Sequence, residues 1–410
     1  MDYDVIVIGG GPAGILAAGA AGARGRKVLL IEKNEKLGKK LFITGKGRCN
    51  ITNTADMDEF MSNIPKNSKF LYSAFRGFSN IDLIDLLNEM GLRTKVERGK
   101  RVFPESDKSS DVIKTLQKYL DKNNVNVMLN AAVRKVETNN SSIERVVLED
   151  GKSFKCSSVV VCTGGISYPL TGSTGAGYEF AKAVGHTVTD LFPSLIPLVV
   201  KEDYIKELQG LSLKNVSIKV IVDNRTIYDD FGEMLFTHYG LSGPIILSAS
   251  FYITEHLKKN RAIKLGIDLK PALSEDELDK RVLNDFQEKI NKNFKNSLND
   301  LLPQKLIPVI IKLCKIDENK EVNQISKEER KQLVNILKNL EFTITGTRPI
   351  AEAIVTSGGI SLKEINPKTM GSKLIQGLYF AGEVMDLDAY TGGFNLQIAF
   401  STGYAAGSNA

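Results

Sequence analysis

The sequence predicts an α/β fold: a discontinuous domain of buried parallel strands and helices, interrupted by an inserted domain that is β-rich, barrel-like and partly helical. Three observations predict it. The chain opens on an apolar run, Val5-Ile6-Val7-Ile8, that leads directly into glycines. A second short strand with its own glycine turn, Leu378-Tyr379-Phe380-Ala381-Gly382-Glu383, stands near the other end. Between them the pattern changes at Pro193 and Pro197, first to strands and then to helices of period four. The expected divisions are 1–193, 194–342 for the insert, and 343–410.

The opening run suits a strand buried on both faces. Gly9, Gly11 and Gly14 then fit GxGxxG, and Pro12 and Ala13 begin a small-residue helix through Ile15-Leu16-Ala17-Ala18. Lys27 to Ile31 makes a second strand that ends at Glu32, with Lys33 beside it. This order is a Rossmann-like frame. Gly9 permits the tight turn, Gly11 admits a pyrophosphate to the backbone, and Gly14 lets helix and strand pack closely. The helix start offers free N–H groups to phosphate. Glu32 is placed to accept from both ribose hydroxyls, which favours an adenosine without a 2′-phosphate.

Features at the far end favour FAD over NAD. Nicotinamide sites are completed within one continuous segment, whereas FAD is longer and needs a distant strand, acid and helix. Gly382 and Glu383 would meet the ribityl chain. Gly392 and Gly393, followed by Asn395 and Leu396, would open a helix whose N–H groups face the pyrimidine edge of the flavin, a dipole that favours the reduced ring. Ser158 to Gly165 reads as a third contact strand, placing Thr163, Gly164 and Gly165 under the nucleotide. Val127 to Val136 is expected as the outer strand beside that of Glu32, with Ala132 and Val133 offering backbone hydrogen bonds to adenine.

Composition narrows the classes further. Lys and Arg number 54 against 48 Asp and Glu, a net charge of +6, with the lysines dispersed, so no nucleic-acid partner is expected. The four cysteines form no CxxC pair, and three histidines are too few for a metal cluster, so no metal is expected. Asp2 and Asp4 occupy the place of a basic leader, and no apolar run is long enough to span a bilayer. A soluble cytoplasmic protein acting on a small molecule is the expectation, with its oligomeric state open.

Three longer stretches carry a family resemblance: Leu37-Gly38-Lys39-Lys40-Leu41-Phe42-Ile43-Thr44-Gly45-Lys46-Gly47-Arg48-Cys49-Asn50-Ile51-Thr52-Asn53, Phe236 to Pro244, and Glu364 to Met370. In these, and in order along nearly the whole chain, the sequence resembles the YhiN/BaiN-like bacterial flavoproteins, described as aminoacetone-oxidase-like or NAD(P)/FAD-dependent oxidoreductases. The resemblance implies a discontinuous FAD domain with an inserted substrate-side domain, and Lys40, Gly47, Arg48, Cys49 and Asn50 as FAD contacts. Glycines in that loop suit close backbone approach, and Arg48 supplies a fork for phosphate or flavin oxygen, although a basic surface loop would read the same way. Family members are linked to amino-ketone oxidation and to reduction of conjugated steroid enones. Membership therefore does not choose the reaction.

In the insert, Val216 to Val222 and Ile263 to Leu269 read as strands. Ser274 with Glu277 and Ser326 with Glu329 make capping boxes, the first ahead of Leu278, Val282, Phe286 and Ile290. No second GxGxxG unit follows, so a nicotinamide would dock only transiently. The segment from Gly164 to His186 is similar to fumarate-reductase-type flavoproteins, which places Tyr168 and Thr171 by the ring. His238 is a candidate proton donor or a structural histidine, and Tyr390 either lines the substrate pocket or packs. The leading expectation is flavin-mediated hydride transfer to or from an organic substrate, including NAD(P)H-driven enone reduction. A substrate-driven amino-ketone oxidase, a flavin-dependent tRNA-modifying enzyme and a non-catalytic flavin redox sensor are the alternatives.

Overall fold

Val5 to Ile8 and Val28 to Ile31 have no polar side chain to turn toward water, and all eight are buried in the middle of a parallel sheet. The computed structural model describes residues 1–410 in two units, Met1–Ser194 with Ile350–Ala410, and Leu195–Pro349. In the first unit the parallel strands lie in the order Asn126–Met128, Val28–Ile31, Tyr3–Ile8, Ser153–Val161 and Leu378–Phe380. The two ends of the chain thus meet in one sheet, with Phe380 beside Val161 and Val161 beside Ile8. The start of Ser153–Val161 serves a second purpose, pairing antiparallel with Ser142–Leu148, which in turn pairs with Val133–Asn139.

The expected continuous strand from Val127 to Val136 is therefore two strands. Asn130 takes a positive φ of 53°, its N–H donates to the Asn34 carbonyl at 3.0 Å, and the Ala131 N–H donates to the Glu32 carbonyl at 3.0 Å. These bonds carry the chain across the end of the Glu32 strand. It restarts at Val133 in the antiparallel ladder.

The helices Pro12–Ala23 and Phe394–Asn409 cross at close range because glycines remove the side chains between them. A Cβ at Gly403 would stand 2.2 Å from the Ala13 carbonyl oxygen, and one at Gly407 2.0 Å from that of Ala17. Their spacing of four puts both on one helix face. The C-terminal helix is thereby seated on the helix that starts at the glycine turn.

The second unit is built on a closed six-stranded antiparallel barrel, in the order Leu198–Val200, Gly240–Ser242, Arg225–Phe236, Ser212–Val222, Ile263–Asp268 and Leu340–Thr347. The last strand closes on the first. Val216, Ile218, Val220 and Val222 alternate inward, as a strand with one buried face requires. Both capping boxes form, heading helices Glu275–Glu288 and Lys327–Lys338. Leu278, Val282 and Phe286 are buried, but Ile290 is 48% exposed because the helix stops before reaching it. The expected boundary at 342/343 falls inside the closing strand. Ile344 pairs with both Ile263 and Val200, so the chain rejoins the first unit only at Ile350.

Candidate cofactor and active site

The glycine turn after the first strand is shaped on three sides and open on the fourth. Gly9 has φ +104°, and a Cβ there would lie 2.5 Å from the Cys162 carbonyl oxygen; a Cβ on Gly14 would lie 1.9 Å from the carbonyl oxygen of Gly9. At Gly11, the helix N-cap, an added Cβ would meet nothing within 4 Å, and no side chain caps the helix. Polarised N–H groups thus face open space, the arrangement that takes a pyrophosphate.

Glu32 is 8% exposed, and its two oxygens are committed to shaping this turn. Oε2 accepts from the Gly10 N–H at 2.7 Å, and Oε1 accepts from the Asn34 N–H at 2.9 Å and its Nδ2 at 2.6 Å. Gly10 lies outside the GxGxxG positions yet is equally confined, since a Cβ there would stand 2.3 Å from Leu37 Cδ2 and 3.1 Å from Glu32 Oε2. Three consecutive glycines were the available signal.

At the other end of the cradle Glu383 gathers residues from four segments. Its Oε2 takes an ion pair from Lys40 Nζ at 2.7 Å, and its Oε1 accepts from Lys40 at 2.9 Å, Ser167 Oγ at 3.0 Å and the Thr356 N–H at 2.9 Å. Gly165 lies against this cluster, where a Cβ would reach Thr356 Oγ1 at 2.3 Å and Glu383 Oε1 at 3.1 Å. Gly382, at φ +77°, leaves room for Ala13. Lys40, Gly165, Gly382 and Glu383, four of the residues expected to contact FAD, lie together here. Ser167 and Thr356 were not expected among them, because an isolated hydroxyl residue carries no spacing signal.

The helix Phe394–Asn409 begins at Gly393, whose φ is 101° and where a Cβ would clash with Thr52 backbone at 2.4 Å. A buried polar chain holds this helix start: Thr52 Oγ1 donates to Gln397 Oε1 at 2.7 Å, Gln397 Nε2 to Ser401 Oγ at 3.0 Å, and Ser401 to the Phe78 carbonyl at 2.7 Å. Asn395 folds back on the preceding loop, accepting from the Ala389 N–H at 2.9 Å and donating to the Ala389 carbonyl at 2.7 Å. Its side chain positions the loop, and Leu396 sits partly buried in the first turn. Asn53 Nδ2 holds the Gly392 carbonyl at 3.1 Å.

Two expected contact residues carry buried polar atoms without any partner, Asn50 Oδ1 and Thr163 Oγ1. Native structures rarely leave such atoms unsatisfied. A third, the Tyr178 hydroxyl, faces Glu383 and Asp386, and burial pushes its pKa up. The open ground before Gly11 and these unsatisfied groups fit a long, polar, phosphate-bearing cofactor such as FAD.

The loop 44–50 folds with positive φ at Gly45, Lys46, Gly47 and Cys49. Arg48 does not hold its fork open. Its guanidinium stacks 4.3 Å over the Phe103 ring, bonds Asp107 Oδ1 through Nε at 2.9 Å and Nη2 at 2.6 Å, and pairs with Glu97. Cys49 is fully buried, and desolvation pushes its thiol up to about 12, which removes it as a redox thiol at neutral pH.

Other candidates fall in different places. Thr171 lies at the Glu32 end, since its carbonyl accepts from Asn34 Nδ2 at 3.1 Å, while Lys33 Nζ donates to Thr174 Oγ1 at 2.8 Å. Tyr168 bonds through its N–H to the Ala351 carbonyl at 3.0 Å, and desolvation together with Glu352 raises its pKa. The Ala132 carbonyl is occupied by the Glu149 N–H at 2.9 Å, and Val133 pairs with Leu148. Gly164, at φ +71°, packs against Ser173 Oγ, where a Cβ would stand at 2.9 Å. Tyr390 is anchored to the Asn63 carbonyl at 3.0 Å, just ahead of Gly392. His238 belongs to the second unit, exposed in the turn Thr237–Gly240 and edge-on to Tyr239 at 4.8 Å, with Arg348 over that ring at 4.6 Å. No three His, Cys, Asp or Glu side chains gather as a metal site would need, and no helix is long and apolar enough to cross a membrane.

A discontinuous Rossmann-like domain with an open glycine turn, joined to a distant strand, acid and helix, defines a flavin-dependent oxidoreductase. Residues 3–409 match the HI0933-like protein Rossmann domain, and the chain belongs to that family, broadly the one its longer stretches resemble. It is 30% identical over 406 residues to a 3-dehydro-bile acid delta(4,6)-reductase of Clostridium scindens, covering 98% of each chain. It is 30% identical over 404 residues to the ribosomal RNA dihydrouridine synthase of Escherichia coli, covering 98% of this chain and 96% of that one. The enzyme of the same name from Haemophilus influenzae is 32% identical over 406 residues, with the same coverage of 98% and 96%. Among solved structures, a 3-ketosteroid-delta4-(5alpha)-dehydrogenase from Rhodococcus jostii RHA1 shares the fold, with a TM-score of 0.53, 14% identity, and coverage of 99% of this chain and 96% of that one.

Proposed function

We propose that this protein reduces a carbon–carbon double bond conjugated to a carbonyl, with FAD as its cofactor and NAD(P)H as the electron source. The observation that carries this reading is that relatives matching the whole chain are named for saturating such bonds in two unlike molecules, a bile acid and a uridine. Both substrates contain a C=C polarised by an adjacent C=O, so the shared chemistry is hydride delivery to the electron-poor carbon. FAD, when bound and reduced by NAD(P)H, would supply that hydride.

The chain's own residues bind and orient. Gly9, Gly11, Gly14 and the helix start of Pro12 and Ala13 take the pyrophosphate. Glu32, Lys33, Ala132 and Val133 hold the adenosine end. Thr163, Gly164, Gly165, Gly382 and Glu383, with Lys40, hold the ribityl chain. Asn50, in the segment Gly47 to Asn50, and the first turn after Gly392 and Gly393 through Asn395 and Leu396 border the ring. In the first unit Tyr390 is the candidate to deliver the proton that completes saturation, ahead of Tyr168.

An anaerobic absorbance titration tests the reading. After FAD reconstitution, NADPH or NADH should bleach the flavin band, and a conjugated enone or uridine-containing acceptor should restore it. A band that only an amino-ketone bleaches would replace this reading with a substrate-driven oxidase. A band bleached by nicotinamide that no conjugated alkene restores would overturn the choice of substrate class.

A further inference from the structure

In the first unit the short strands Phe192–Ser194 and Val355–Ser357 pair as a two-stranded ribbon, and one carboxylate pins it. Asp388, 1% exposed, accepts from Ser194 Oγ at 2.7 Å and from Ser357 Oγ at 3.1 Å, one hydroxyl from each strand. Beside Ser357 on the ribbon is Thr356, whose N–H donates to Glu383 Oε1 at 2.9 Å and whose Oγ1 accepts from the Ile166 N–H at 2.9 Å. The residue after Asp388 is Ala389, held at both its N–H and its carbonyl by Asn395. A single buried side chain thus joins the strand that serves Glu383 to the loop that enters the turn at Gly392 and Gly393.

Holding the ribbon does not require a charge. An amide of the same shape would serve both hydroxyls, accepting from one and donating to the other, without the cost of taking an ion out of water. Asp388 carries that cost: its hydrogen-bond partners are neutral hydroxyls, and desolvation outweighs them, pushing the carboxyl up to about 6. The charged groups facing it are Lys66, which lowers that value, and Asp386, which raises it. Above about pH 7 the group is mostly ionised. Titratable groups poised in this way gather where charge is used. Here the charge stands in the loop whose next turn opens the helix Phe394–Asn409.

We propose that Asp388 is a positioning residue of the flavin site whose charge sets how readily the ring is reduced. The proposal rests on the FAD reading above. Its two hydrogen bonds fix the Glu383 side of the cradle against the flavin turn. Its negative charge opposes the charge that reduction adds at the pyrimidine edge, acting against the dipole of the helix Phe394–Asn409. The ionised form therefore makes the reduced ring the stronger hydride donor, the direction that favours delivery to an electron-poor alkene.

The test measures the flavin midpoint potential of the FAD-loaded full-length protein, by anaerobic photoreduction against redox dyes from about pH 5 to about pH 8. The parent is compared with Asp388→Asn, Ser194→Ala and Ser357→Ala. At the acid end the parent and Asp388→Asn should agree. As pH rises through about 6 the parent should fall below the Asn variant. The gap should reach about tenfold in the reduction equilibrium, about 30 mV for a two-electron couple. Titration of the flavin itself is common to both and cancels. Each serine variant removes a hydrogen bond that favours the ionised form, so its curve should leave that of Asp388→Asn at a higher pH than the parent does. A residue that only supported the fold would change FAD content and leave the pH at which the curves part unmoved. Should Asp388→Asn lose FAD, the serine variants against the parent still decide, with a higher potential near about pH 7 expected. The proposal is overturned if the gap is absent or equal at every pH, or if neither serine variant moves its onset. A parent that never holds FAD overturns the FAD reading and this one together. A parent that holds FAD without a pH-dependent gap overturns the role of Asp388 alone.

Discussion

Lys40 and Glu383, separated by 343 positions in sequence, form an ion pair of 2.7 Å that ties the segment after the second strand to the end of the last one. Both side chains are about four-fifths buried, at 21% and 19% exposure, and Ser167 bonds to both. The pair closes the cradle between the glycine turn and the C-terminal helix. Lys40→Met should destabilise the protein by about 2 kcal/mol, because Glu383 loses its only cation but keeps the Thr356 N–H and Ser167. Urea denaturation of both single variants and the double variant measures the coupling. FAD affinity should fall in each single variant. Retention of parental affinity in both would remove the pair from the site.

The crossing of the two long helices in the first unit depends on absent side chains. Gly403→Ala would force a methyl group to 2.2 Å from the Ala13 carbonyl oxygen. The helix-propensity gain of about 1 kcal/mol should be outweighed by overpacking of about 3 kcal/mol. Because Ala13 begins the helix at the glycine turn, FAD affinity should drop with stability. Gly25→Ala is a poor control, as its φ of +77° brings its own strain; Gly77→Ala, at an open position with ordinary φ, should leave FAD affinity unchanged.

Asp388 introduces a pH dependence opposite to that of an ion-paired carboxylate. It is almost completely buried, accepts from Ser194 at 2.7 Å and Ser357 at 3.1 Å, and desolvation pushes its pKa up to about 6. The groups facing it are these two serines, with Lys66 lowering and Asp386 raising its pKa. A raised pKa means the folded state holds the proton more tightly, so this contribution is fully present below about pH 4 and is lost as pH rises through about 6. Asp388→Asn should therefore gain on the parent as pH rises, by up to about 3 kcal/mol at pH 8. Chemical denaturation at pH 5 and pH 8 checks it, and an equal difference at both would count against the buried ionisation.

All four cysteines are free and buried, and burial pushes Cys49, Cys156 and Cys314 up to about 12 and Cys162 further. The native protein at pH 8 should react with none of its thiols over minutes, while the denatured protein should expose all four. Rapid native labelling of Cys49 would contradict its burial.

The sequence by itself determined the frame. Val5 to Ile8 into Gly9-Gly10-Gly11, the strand ending at Glu32, the late Gly382-Glu383 and the turn at Gly392-Gly393 are local patterns whose physical requirements sit within a few residues. Both capping boxes were legible for the same reason. Tertiary structure alone decided what depends on distant partners. The turn at Asn130 is held by Asn34 and Glu32, so the split of the 127–136 strand leaves no local trace. Arg48 reads as an open fork until Glu97 and Asp107 occupy it. Ser167 and Thr356 become part of the cradle only because Glu383 accepts from both. Spacing reports which side chains share a face of one helix or strand; which faces meet is set by burial of apolar surface over the whole chain.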